Sequence, residues 1–195
     1  RLIRAADLPS AEDRLQIFLM SMRRLLDAGY VYIGLDHFAK PDDELNVARE
    51  NGTLHRNFQG YTTRAECDLV AFGMSAISKV GDSYSQSSHS VTGYYKHLEE
   101  GHLPTEKGYQ LSQDDVLRRA VIMEIMCGGP LRFASINQRY EIDFVKYFDA
   151  ELARLVPYQE ADLIEITAEG IFVSPKGRLF VRGVGLVFDK YLRQP

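Results

Sequence analysis

Cysteine is scarce in this 195-residue chain: Cys67 and Cys127 stand alone, far apart. They form no CxxC pair, no zinc-ligand set and no disulfide framework, so a reducing cytoplasm is the expected compartment. No apolar run approaches the roughly 18 residues of a membrane span. The start, Arg1 to Asp7, lacks a signal peptide's apolar centre and has no initiator Met, so the chain reads as a fragment or a processed product. A basic excess is lacking too. Net charge is −4 at a pI of about 5.8, and residues 1–90 and 91–195 each carry a deficit of two positive charges. By charge balance neither half is a nucleic-acid domain, though a local basic face stays open. There is no Walker loop and no GxSxG elbow. Gly183-Val184-Gly185 has neither a preceding strand turn nor a third glycine, which excludes a dinucleotide fingerprint.

What is present is ordinary for a folded chain, with 45% hydrophobic and 26% charged residues. Ser10 and Asp13 make a capping-box start. Leu15, Phe18, Leu19, Met22 and Leu26 follow on one helical face, and Gly29 ends the helix. Tyr30–Leu35 reads as a buried strand, Pro41-Asp42-Asp43-Glu44 opens a short helix with acids in its first turn and Gly52 closes it, and Phe58–Thr63 and Met74–Val80 are strand candidates. This alternation predicts a parallel sheet flanked by helices. The polar run Ser83–Ser90 reads as a linker, which divides the chain into units 1–90 and 91–195. The second unit should be mainly helical. Ser112 caps a helix with Val116, Ala120, Met123 and Cys127 on one face and Leu117 and Val121 beside them. Asp143 precedes an amphipathic helix through Phe144, Tyr147, Phe148, Leu152 and Leu155. A hairpin spans Leu163–Ser174, and a last helix runs from Ser174-Pro175 to about Arg193. That order predicts a winged-helix-like domain.

Chemistry-bearing residues concentrate between positions 36 and 64. Asp36 and His37 end a predicted strand, where open sheets bind ligands; a His beside an Asp can act as acid, base or donor, or can simply pack in a loop. His55 and Arg56 offer donors to carboxylates, or form a solvated loop pair. In Phe58-Gln59-Gly60, glycine permits close backbone approach, the amide both donates and accepts, and the ring supplies an apolar face. That combination suits a flat polar ligand such as a purine.

The runs Gly34–Leu45 and Leu54–Thr63, the latter holding His55-Arg56-Asn57-Phe58-Gln59-Gly60-Tyr61, resemble the oxygen-independent coproporphyrinogen III oxidases. The likeness continues through Gly73–Ser78 and Lys176–Arg182 and so spans nearly the whole chain. The related haem-chaperone branch is less similar, having another residue in place of His37 and lacking the His55–Tyr61 string. The resemblance implies the C-terminal part of a radical S-adenosylmethionine (SAM) partial (β/α) barrel over 1–90, followed by the winged-helix-like domain over 91–195. It implies that two propionates of coproporphyrinogen III become vinyl groups with loss of carbon dioxide. The cofactors would be SAM and a [4Fe-4S] cluster, whose CxxxCxxC ligands lie outside this chain. On that pattern Phe58, Gln59 and Ile77 lie beside SAM, and His37, His55 and Arg56 are candidates for holding or organising the substrate. The chain itself supplies no metal ligand set and is expected to be inactive alone. An electron donor is a further implied partner. Membrane and nucleic acid are not expected partners, and the parent enzyme is expected to be a cytoplasmic monomer. The competing reading is a winged-helix module that contacts nucleic acid or a protein. Its best recognition helix carries Arg118-Arg119 as its only adjacent basic pair, and the acidic balance disfavours it.

Overall fold

The computed structural model describes residues 3–4 and 7–192. Helix α1 (Ala11–Asp27) starts on the expected capping box: Ser10 Oγ accepts the Asp13 N–H and Asp13 Oδ2 accepts the Ser10 N–H, both at 3.1 Å. Gly29 follows it at φ +79°. Strand β1 (Val31–Gly34) turns through Leu35-Asp36 into β2 (His37–Ala39) and pairs with it antiparallel. Helix α2 (Glu44–Glu50), capped by Asp43, leads to β3 (His55–Asn57) and β4 (Gly60–Thr62), a second hairpin.

Every strand pairing among the described residues is antiparallel, so the expected parallel sheet does not form here. The reason lies in the connections. A parallel pair needs a crossover of about a dozen residues or more, whereas β1–β2, β3–β4, β5–β6 and β9–β10 are joined by short turns that reverse the chain.

The expected linker is also a strand. β5 (Ile77–Val80), β6 (Ser83–Ser87) and β7 (Thr105–Gln110) form one sheet with β6 in the centre, and α3 (Val91–Glu99) connects β6 to β7. Backbone pairing on both sides satisfies β6 without an apolar sequence. Because β6 pairs with β7, the sheet straddles position 90, where the two units were divided.

Helix α4 (Gln113–Met126) again begins with a capping box, between Ser112 and Asp115. It is followed by β8 (Leu131–Arg132), α5 (Phe133–Tyr140), α6 (Phe144–Tyr147), α7 (Asp149–Glu160) and the expected hairpin, β9 (Ile164–Ile166) with β10 (Gly170–Val173). These strands lie in the order β8-β10-β9. The helix expected after Asp143 is broken at Phe148, because that buried ring is held by Phe144 at 4.8 Å and Phe188 at 5.3 Å. The last helix is also shorter than expected: a 3-10 turn (Gly177–Phe180) precedes α8 (Val181–Leu186). The chain then bends so that Lys190 reaches Asp114 and Asp115, each at 2.7 Å; Arg193 lies outside the described residues.

Two apolar clusters hold these elements. The larger gathers Val121, Ile125, Leu131, Phe144, Phe148, Leu155, Ile171, Val184 and Phe188, among others, from α4 onward. The smaller holds Ile33, Ala39, Ala48, Leu54 and Tyr61. Leu35 packs on the larger cluster and Cys127 on the smaller, so the two adjoin.

Candidate functional site

The β3–β4 hairpin carries most of the expected site residues. Its turn is Phe58-Gln59, and Asn57 Oδ1 accepts the Gln59 N–H at 2.8 Å, a short polar side chain bending its own backbone. The Gln59 side chain is exposed. The Phe58 ring is 55% exposed and meets Tyr84 of β6 edge-on, with centroids 5.2 Å apart. This contact docks the hairpin tip on the sheet whose first strand begins at Ile77.

His37 sits beside that hairpin. Asp36 Oδ1 lies 2.8 Å from its Nδ1 without hydrogen-bond alignment, and the ring meets Tyr61 edge-on at 5.1 Å. Gly60, at φ +134°, faces it: a Cβ there would lie 2.8 Å from His37 Nε2. The close backbone approach expected of Gly60 is therefore used by His37. The Tyr61 hydroxyl donates to the Met126 carbonyl at 2.9 Å, and burial pushes its pKa to about 12. It also covers Gly34, where a side chain would collide with it. Arg178 Nη2 donates to the Ile33 carbonyl at 2.7 Å. These contacts form a seam that fixes the two hairpins against α4 and the segment preceding α8.

Beside the seam lies a cleft of about 850 Å³, bounded by β3, residues 64–69, α4 and α5. His55, Arg56 and Phe58 line it; His37, Gln59 and Ile77 do not. Its apolar floor includes Val116, Ala120 and Met123, with Cys127 at one end. This is the α4 face grouped by sequence. The core instead takes Leu117, Val121 and Ile125 from the neighbouring face. Arg56, Arg64, Lys79 and Arg139 reach the cleft and form no ion pair among the described residues. Arg49, Arg119 and Arg132 also line it, paired with Glu50, Asp82 and Glu169 respectively. The acids in the lining are Glu66 and Glu124.

Electrostatics follow from this crowding. Burial, then the Lys79 and Arg119 charges, push the His55 pKa down against Glu66, so His55 is neutral at pH 7. Burial pushes Glu124 up, opposed by Arg139. Burial raises the Cys127 thiol to about 12, so it is no nucleophile at neutral pH. Among the described residues no group of three His, Cys, Asp or Glu side chains could hold a metal ion.

Sequence reasoning did not single out Lys79, Arg64 or Arg139. It noticed Arg118-Arg119 only as a recognition-helix pair. Neighbours on a helix point about 100° apart. Arg118 turns inward to Asp114 at 2.9 Å and Glu151 at 2.7 Å, while Arg119 reaches the cleft.

With this geometry in place, the chain can be set beside known proteins. Residues 111–180 match the family model described as the HemN C-terminal domain. The chain is 43% identical over 194 residues to the oxygen-independent coproporphyrinogen III oxidase of Escherichia coli strain K12, covering 100% of this chain and 42% of that protein. It is 46% identical over 192 residues to the protein of the same name from Pseudomonas aeruginosa, covering 98% and 42%. A solved structure titled as coproporphyrinogen III oxidase (HemN) from Escherichia coli, a radical SAM enzyme, superposes with a TM-score of 0.91 at 42% identity, covering 97% of this chain and 44% of that one. The chain thus spans less than half the length of these relatives.

Proposed function

The chain is homologous over its whole length to the C-terminal part of the oxygen-independent coproporphyrinogen III oxidases, and from that premise we propose that it serves the same reaction. The reaction is the oxidative decarboxylation of two propionates of coproporphyrinogen III to the vinyl groups of protoporphyrinogen IX in haem biosynthesis. The observation that carries this reading is the 42% identity held across 97% of the chain in one superposition.

The residues present do not fit an iron–sulfur cluster: three thiolates are needed, Cys67 is exposed and Cys127 is half-buried in the seam. No step here is routed through one. SAM is a better fit in this chain, since the hairpin tip offers an exposed aromatic face at Phe58 and an exposed amide at Gln59. In this reading Phe58 packs against SAM, Gln59 hydrogen-bonds it, and Ile77 supplies an apolar contact from the adjoining sheet. Held by these residues in the whole enzyme, SAM would supply the radical chemistry needed at a propionate.

In this reading the antiparallel hairpins and sheet from α1 to β7 adjoin the barrel of the longer enzyme instead of forming its strands, and α4 to α8 act as a winged-helix-like wall that keeps water from the reacting centre. The order α4, β8, α5, α6–α7, β9, β10 with sheet order β8-β10-β9 supports the winged-helix reading. The Tyr61–Met126 and Arg178–Ile33 bonds support a fixed wall. His37, through its packing on Gly60 and Tyr61, organises the hairpins, while His55 and Arg56 face the cleft. The parent enzyme works as a cytoplasmic monomer with a separate electron donor; no described helix is long and apolar enough to cross a membrane.

The test is anaerobic turnover by the whole encoded protein with SAM and a reductant. The expected result is two carbon dioxide molecules released per coproporphyrinogen III, and an unchanged tetracarboxylate would overturn the reading. Gln59→Ala should weaken SAM binding by roughly 2- to 13-fold, the loss of one hydrogen bond. Unchanged SAM affinity and turnover would remove Gln59 from the site.

A further inference from the structure

We propose that the cleft between β3 and α4 is a binding site for carboxylates carried on a large apolar ring, with Arg56 and Arg119 as the principal donors. The identity of that ring as the porphyrinogen rests on the reaction assigned above.

Four observations converge on this site. The first is charge. The chain is net negative, yet Arg56, Arg64, Lys79 and Arg139 crowd one cavity with no ion-pair partner among the described residues. Like charges held together repel one another, and a bound anion relieves that repulsion.

The second is unmet hydrogen-bonding capacity. Arg56 Nη1 and Arg119 Nη1 are both buried without a hydrogen-bond partner among the described residues. Among the described residues the Arg56 guanidinium lies over the Tyr61 ring, 5.2 Å from its centroid, and Arg119 gives one nitrogen to Asp82 at 2.8 Å and also interacts with the Tyr84 hydroxyl. A guanidinium presents a fork that matches a carboxylate.

Third is the floor. Val116, Ala120 and Met123 present an apolar surface between the cations, and Phe58 and Tyr84 border it. A phosphate backbone would gain nothing from such a floor, whereas a ring with acidic arms fills both parts. Last is size: about 850 Å³ lies within the roughly 300–1,000 Å³ range of small-molecule sites.

The experiment titrates this chain with coproporphyrin III, a fluorescent tetracarboxylate that does not need the cluster, and reads Kd from the emission change. Arg56→Gln and Arg119→Gln should each weaken binding about 10-fold or more, as expected for charged hydrogen bonds. Raising salt should weaken it further. The tetramethyl ester, which keeps the ring and loses the charges, should bind no better to the wild-type chain than to the double variant. Arg119→Gln also removes the contact with Asp82, so Asp82→Asn separates the roles. It breaks the same ion pair but leaves Arg119 charged, and should bind coproporphyrin III at least as tightly as wild type. Circular dichroism establishes that each variant is folded.

Equal affinity of wild type and Arg56→Gln, or equal affinity for acid and ester, would overturn the site. So would loss of binding in Asp82→Asn as large as in Arg119→Gln. If the whole enzyme turns over while binding ignores Arg56 and Arg119, this site falls and the reaction stands. If Arg-dependent binding is measured and turnover fails, the reaction falls and the site stands.

Discussion

The stretch from α4 to α8 and the stretch from α1 to β4 differ in how they use their apolar residues. The former buries Leu117, Phe133, Phe144, Phe148, Leu155, Ile171, Val184 and Phe188 in one cluster, and its chain end is tied back to α4 through Lys190. The latter buries only Ile33, Ala39, Ala48, Leu54 and Tyr61. Its longest helix, α1, has no buried residue and leaves Leu15, Ile17, Met20 and Leu26 exposed. A helix with a regular apolar face and no core beneath it packs against something else. The chain spans only about two fifths of the relatives it matches, and on the proposed reading the remainder of the longer protein covers that face. The two stretches thus separate local helix formation, which capping and periodicity achieve in both, from core formation, which the α4–α8 stretch achieves by itself.

The comparison predicts unequal costs. Phe148→Ala removes a fully buried ring from the larger cluster and should cost about 3–5 kcal/mol in denaturant unfolding. A loss below about 1 kcal/mol would show that the α4–α8 stretch is not the stable one.

Asp115 is a smaller lever on the same stretch. Burial alone would raise its pKa, but Lys190, Ser112 and Tyr191 hold it far below the usual carboxylate range. Its folded value therefore lies below its unfolded one. The stabilisation is present above the unfolded value of about 3.9 and is lost as pH falls toward the folded value. Asp115→Asn should cost on the order of 1 kcal/mol at pH 7 and should flatten the decline in stability below about pH 4. An acid-unfolding curve identical to wild type would contradict the role given to this network.

Leu15→Ser should do least, changing stability by no more than about 0.5 kcal/mol in this chain, because the side chain is exposed. A cost near that of Phe148→Ala would mean that α1 has a core after all.

The sequence was readable where physics is local. Ser10, Ser112 and Asp143 cap helices as their side chains dictate, the helix expected to open at Pro41 starts only after Asp43, and the 163–174 hairpin follows from its β-branched and aromatic residues. It was misleading where pairing partners decide. Tyr30–Leu35 has the composition of a buried parallel strand, yet a two-residue turn commits it to β2. Ser83–Ser87 has the composition of a linker, yet β5 and β7 flank it. On α4 the two apolar faces are alike in sequence. Tertiary packing alone sends Val121 and Ile125 to the core and Ala120 and Met123 to the cleft. The string from His55 to Gly60 could be singled out because its residue types are chemically loaded. Lys79 and Arg139 could not, because they join Arg56 only through the fold.

Hydrogen–deuterium exchange on this chain alone and within the whole encoded protein tests the account most directly. Amides of α4 to α8 should be equally protected in both. Those of α1 should exchange at least 10-fold faster in the chain alone and become protected in the whole protein. Equal protection of α1 in both would contradict the claim that its apolar face is completed by the rest of the encoded protein.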